Sequence, residues 1–344
     1  MKFINKYFHY FVLAFVSLAI FFLLSGYLSS SIKPNWDLSG HLTLMSMLGF
    51  EDILNLFSFY DPHMMGGWPA FVFYGFLPHQ FIWVLSKLLS PFFSDPLVGT
   101  TYLVLVCICT LVPVSLYYAT TNAANLAKIK HTKYTKIILI LFVAFFSLWW
   151  INYSDSFWGL GAQSLLQLGL LSQGFGMILL LFTIGSLFKY LGNADSKSLQ
   201  RLIFLTFLIL ISHHLTGIFA LSLVLMSGIF FPKYFTKLIR ASLISVGLAA
   251  VWLLPLIIWS AEFTPLDNSM INTDIFQLIF QPFAIDGAFY KKLSGTFIVL
   301  LTLGIIICWN STSENLKKIF TMMLIAIIIY NSTFVLEVLS IGFH

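Results

Sequence analysis

The sequence predicts an all-α, polytopic membrane protein, read as a single integral membrane domain over residues 1–344, on three observations. Of the 344 residues 59% are hydrophobic and only 9% are charged, a balance foreign to water-soluble domains. Apolar runs long enough to cross a hydrocarbon core of about 30 Å recur from end to end, with no soluble linker between them. Lys and Arg collect in the short connections between runs, so the net charge of +5 reflects membrane orientation and not a nucleic-acid surface. Cys107, Cys109 and Cys308 all sit in apolar runs and read as small packing residues. No Walker loop, zinc signature or Ser nucleophile elbow occurs in the chain.

The first run, Phe8–Leu28, follows Lys2 and Lys6 and is long for a cleaved leader, so it reads as an uncleaved span. Residues 29–96 then form a long polar loop carrying Asp37, His41, Glu51, Asp52, Asp61, His63 and His79. Within it, Leu42–Phe57 alternates apolar and polar residues as a helix lying on the interface would. Gly66-Gly67-Trp68-Pro69 reads as a tight turn with Trp68 at the interface. Phe76–Leu89 reads as a second surface helix. Later spans are expected at Leu97–Ala119, Ile137–Ile151, Gly174–Tyr190, Leu202–Ile211, Leu215–Phe231, Ala241–Trp259, Leu293–Trp309 and Ile319–Ile341. Leu202–Ile211 is too short to span upright, and it meets its successor at Ser212-His213-His214.

The stretch Phe71–Leu89 decides the topology. If it stays on the outer side, Lys2, Lys6 and the basic loops Lys128–Lys136, Lys189–Arg201, Lys233–Arg240 and Lys317–Lys318 all fall inside. Only Lys33, Lys87, Lys291 and Lys292 then remain outside, as the positive-inside rule prefers. This arrangement has nine spans, a cytoplasmic N-terminus and, for a bacterial or archaeal cell, a place in the plasma (inner) membrane. Most of the carboxylates then fall on the outer side, which marks that side as a working face.

A first span, a long outer loop with two juxtamembrane helices, an acid soon after the span, six further spans and a second long outer loop, residues 260–292, together resemble the GT-C superfamily of glycosyltransferases that use polyprenyl-phosphate sugars. Within it the chain looks most like the membrane proteins labelled "6-pyruvoyl-tetrahydropterin synthase-related". The matching pieces are Asp37-Leu38-Ser39-Gly40-His41, the run from Gly66 to Tyr74, the run from Leu210 to Thr216, and Trp252-Leu253-Leu254-Pro255-Leu256. The label carries no pterin chemistry here. The likeness covers most of residues 8–259, and residues 293–344 supply two further spans where many relatives continue.

The resemblance implies transfer of a sugar from a polyprenyl-phosphate donor to an acceptor at the outer face. Asp37 would be the catalytic carboxylate that deprotonates or positions the nucleophile; as a plain structural residue it would cap the helix beginning near Ser39. The matching pieces place His41, Trp68, Tyr74, His213 and His214 among the expected substrate-binding residues. A neutral imidazole of the His213-His214 pair would donate to a lipid phosphate or satisfy a freed carbonyl. Lys291 and Lys292 would clamp phosphate or snorkel to the interface. Asp155 and Glu262, with Asp37, are candidate oxygen ligands for magnesium or manganese, although a lone loop Asp has a simpler reading as a solvated residue. The expected partners are a polyprenyl-phosphate-linked sugar and membrane lipid, with no nucleic acid. Two other classes fit the same outline, a lipid-linked sugar transporter or flippase and a non-catalytic assembly subunit; the near absence of ionisable residues within the spans counts against the transporter.

Overall fold

A computed structural model describes residues 2–28, 37–48, 75–130, 132–152, 162–167, 169, 171–259 and 313–331. Among these residues every regular element is helical. In chain order they are α1 (Lys2–Leu24), α2 (Asp37–Ser46), α3 (Phe76–Leu88), α4 (Pro96–Leu126), α5 (Lys133–Asn152), α6 (Ala162–Gln167), α7 (Leu171–Asn193), α8 (Ser196–Ser212), α9 (His214–Phe230), α10 (Phe235–Trp259) and α11 (Glu314–Asn331). Five stretches are long and apolar enough to cross a membrane: Tyr7–Leu28, Pro96–Leu126, Lys133–Ile151, Leu171–Asn193 and Pro232–Pro255. The chain is therefore an α-helical, multi-pass integral membrane protein.

Over their most apolar windows α4 and α7 are 56% and 61% buried, against 22% for α1, so α4 and α7 are the central helices and α1 is peripheral. Along α1, Phe8, Phe11, Phe15, Leu18 and Phe22 are exposed while Leu13, Val16, Ile20 and Leu24 are buried. That helical spacing separates a lipid-facing stripe from a packed one. Small residues let the central pair approach: a side chain at Gly185 of α7 would run into Tyr118 of α4. Buried hydroxyls turn back on their own helices, as Thr183 Oγ1 donates to Leu179 O at 2.8 Å and Ser227 Oγ to Leu223 O at 2.7 Å. Ser245 Oγ also reaches across from α10 to Ile203 O of α8 at 3.0 Å.

Helix ends are fixed by short-range chemistry. Asp95 accepts from the Val98 N–H at 3.1 Å and Pro96 opens α4, while Asp195 accepts from the Ser198 N–H at 2.8 Å at the start of α8. Lys128 and Ala194 take positive φ, 59° and 57°, just beyond α4 and α7. At Lys128 the N–H of Lys128 bonds Asn125 O and that of Ile129 bonds Ala124 O, both at 3.0 Å, the paired bonds of a Schellman ending.

Cross-helix contacts sort the helix ends into two sets. At one end Arg201 Nη1 donates to Tyr118 Oη at 2.9 Å, Ser313 Oγ to Ala127 O at 2.9 Å and Asn315 Nδ2 to Leu126 O at 2.8 Å. The basic loops 128–136 and 233–240 join helices at this end. At the other, Tyr27 approaches Tyr102, Leu38 packs on Gly169, Gly75 meets Ser212, and His214 lies beside Trp252.

α3 belongs wholly to this second end. Its start, Gly75, is against the close of α8, Phe81 packs edge-on against Phe175 near the start of α7, and its last residue stands just before α4 opens. Its 13 residues reach only about 20 Å, too short for the hydrocarbon core. It lies across the bundle end, as the surface reading of Phe76–Leu89 anticipates.

Other boundaries move. The interface helix expected at Leu42–Phe57 begins instead at Asp37 and stops after Ser46; residues 49–57 lie outside the described set. The run Leu202–Ile211 grows to the 17-residue α8, because Asp195 caps a polar first turn that hydropathy alone passes over. α7 starts at Leu171, not Gly174, and the short α6 before it carries no strong pattern in the sequence. The expected span Leu293–Trp309 and the last part of Ile319–Ile341 lie outside the described residues.

Candidate functional site

The end of the bundle that receives α2 and α3 is built by two glycines. The carbonyl of Ser212 lies where a Cβ at Gly75 would stand, so no side chain fits between the start of α3 and the close of α8. Gly169 has φ of +77° and packs directly against Leu38, which seats α2 beside the α6–α7 connection. Leu38, Leu42, Leu44 and Met45 are buried, and the α3 residues Phe76, Ile82 and Trp83 join the same core.

His41 and His79 meet where α2 crosses α3. Nε2 of His79 lies 2.9 Å from Nδ1 of His41, and Nδ1 of His79 lies 3.0 Å from the carbonyl oxygen of Gly75. A carbonyl only accepts, so the His79 proton sits on Nδ1 and its Nε2 carries a lone pair. Nδ1–H of His41 must then donate to that lone pair, which leaves Nε2 of His41 as an acceptor. Burial enforces neutrality: His41 is 4% exposed and His79 is fully buried. Loss of hydration lowers the pKa of His41 to about 3, with the neighbouring His79 adding to the effect. Burial likewise lowers His79 to about 4, and its bond to Gly75 opposes the shift.

His213 holds the opposite polarity. It is not within a helix, as two adjacent helical positions about 100° apart would require. It is the extended residue that ends α8 and opens α9, with φ of −154° and ψ of 102°. Its Nδ1 accepts from the Thr216 N–H at 3.3 Å, and the Thr216 hydroxyl lies 2.7 Å away. The neutral ring therefore carries its proton on Nε2 and presents a donor. His214, the first residue of α9, has its ring centroid 5.9 Å from that of His213 and 6.2 Å from that of the buried Trp252. His213 organises the junction and His214 packs; the fold also joins the Leu210–Thr216 and Trp252–Leu256 pieces.

Asp37 is the first residue of α2, one turn before His41. Its side chain lies outside the described set, as do Trp68, Tyr74, Asp155, Glu262, Lys291 and Lys292. Asp155 and Glu262 are thus not brought to Asp37 by anything on view. Among the described residues no three His, Cys, Asp or Glu side chains come together as metal ligands.

Sequence reasoning missed the partnership of His79. The signal was present, because Phe76, His79, Ile82, Trp83 and Ser86 recur at helical spacing and all are buried. A histidine on the inward face of a surface helix needs a polar partner. No protein-family model, curated protein or solved structure matches the chain.

Proposed function

We propose that the chain is a GT-C-type glycosyltransferase that moves a sugar from a polyprenyl-phosphate donor to an acceptor at the outer face of the membrane. The carrying observation is that the loop between α1 and α4 does not cross. It folds back as α2 and α3 on the bundle end remote from the basic loops, with Asp37 opening α2. In this reading the chain has nine spans, the N-terminus is cytoplasmic, and residues 260–292 form a second outer loop over the same end.

The acceptor's oxygen or nitrogen attacks the anomeric carbon while the bond from that carbon to the phosphate oxygen breaks. The phosphate departs with the electron pair, and Asp37 takes the proton of the nucleophile. His213 supplies an Nε2–H to a phosphate oxygen, and Trp68, Tyr74, Lys291 and Lys292 are the further candidates for the donor site. Magnesium or manganese on Asp37, Asp155 and Glu262 would neutralise the phosphate, but no step here depends on it.

Asp37→Asn tests the assignment. Asparagine keeps the size and capping ability of aspartate and removes the charge, so folding survives. General-base assistance contributes about 10²–10⁴ in rate, and transfer from radiolabelled polyprenyl-phosphate sugar should fall at least by that lower factor with normal membrane insertion. Full transfer by Asp37→Asn removes Asp37 as the base. A wild type inactive with every polyprenyl-phosphate sugar tried favours the assembly-subunit alternative, and one that translocates without transferring favours the flippase.

A further inference from the structure

We propose that His79 is a positioning residue that locks His41 as a hydrogen-bond acceptor, and that Nε2 of His41 recognises a hydroxyl of the transferred sugar. The inference rests on the glycosyltransferase reading for its ligand, but the lock itself follows from geometry alone. The chain of bonds runs one way, from Nδ1–H of His41 to Nε2 of His79 and from Nδ1–H of His79 to the Gly75 carbonyl. Reversing the first bond would put protons on both nitrogens of His79, an imidazolium at a site with no exposed surface. The only other way to reverse it would leave the Gly75 carbonyl facing a lone pair. Gly75 is itself immobilised by Ser212, so the anchor of the relay is tied to the body of the bundle.

A fixed acceptor one turn after Asp37 has a definite chemistry. It repels phosphate oxygens and pairs with O–H or N–H groups, which the sugar carries and the lipid phosphate does not. Because His41 is nearly dry, an unmatched lone pair there is costly, so the contact discriminates strongly between a hydroxyl and its absence. His41 and His213 thus divide the ligand between them: an acceptor for the sugar, a donor for the phosphate.

The test has two arms, both on the full-length protein in lipid nanodiscs. In the first, ¹⁵N-histidine spectra read the tautomers. His41 and His79 should each show a protonated Nδ1 and an imine-type Nε2. His79→Gln, which keeps an acceptor atom near the Nε2 position, should preserve the His41 signature, and His79→Phe should release it into a mixture. A wild-type His41 protonated at Nε2 overturns the lock without needing any variant. In the second arm, binding is measured for citronellyl phosphate, for its glucose, galactose and mannose esters, and for the monodeoxy analogues of the tightest ester. One deoxy analogue should bind the wild type about 3- to 10-fold more weakly than its parent. That difference should persist in His79→Gln and vanish in His79→Phe, with affinity for bare citronellyl phosphate unchanged. Equal affinity for every deoxy analogue in the wild type, or discrimination that survives His79→Phe, overturns the proposal while leaving the glycosyltransferase reading intact. A wild type that binds neither the phosphate nor any ester overturns that reading, and the sugar contact with it.

Discussion

At the scale of single residues, Gly75 has the most at stake, because it provides both a close approach and the carbonyl that orients His79. Gly75→Ala should cost about 1–3 kcal/mol through overpacking against Ser212, read as a lowered midpoint in thermal unfolding in detergent. Gly26→Ala, where nothing lies near the added carbon, should leave the midpoint within error. The two buried imidazoles also make stability depend on pH. The unfolded chain takes up protons on them near 6.5, whereas the folded protein does so only near 4 for His79 and near 3 for His41. Between those limits the unfolded state binds more protons, so stability falls as pH drops from about 6.5 and levels off below the folded values. Unfolding midpoints measured from pH 7 to pH 4 should show this decline, and the double variant His41→Phe/His79→Phe should flatten it.

Among the elements, the ends of helices carry improvable strain. Ala194 follows α7 with φ of 57°, a conformation that costs an L residue about 1–2 kcal/mol and glycine almost nothing. Ala194→Gly should therefore raise stability by about 0.5–1 kcal/mol after glycine's entropic penalty, detectable as a higher thermal midpoint. The α8–α9 junction behaves differently, since His213 is a side-chain cap for Thr216. His213→Asn should hold the junction and His213→Leu should lose about 1 kcal/mol in the same assay. Periodicity alone made α3 legible almost to its last residue, because Phe76, Ile82, Trp83 and Ser86 mark one face. It failed for α2, where Asp37 and Ser39 look like loop residues until Leu38 is seen against Gly169. It failed also for the first turn of α8, whose polar Ser196, Lys197 and Ser198 are held by a cap and not by burial of an apolar face.

For the molecule as a whole, charge bias and contacts concur on two unlike ends. In a background with the native cysteines replaced, cysteines at Lys130 and Lys237 should be shielded from an impermeant thiol reagent in intact cells, and cysteines at Ser94 and Asn268 should react. Labelling of the first two, with the last two protected, reverses the orientation. The candidate site was legible only in pieces. Asp37, His41 and His213 stand out in the sequence as polar residues beside spans, but His41 and His79 are 38 residues apart, and no local pattern announces their bond. The meeting of Gly75 with Ser212 has a further consequence in the order of synthesis. The start of α3 leaves the ribosome long before its seat at the close of α8 exists; at about 5–20 residues per second the interval is on the order of ten seconds. During it, α3 and its inward histidine wait at the translocon without their final neighbours. A nascent chain arrested before Ser212 should therefore leave α3 open to protease, and one arrested well beyond Phe230 should protect it.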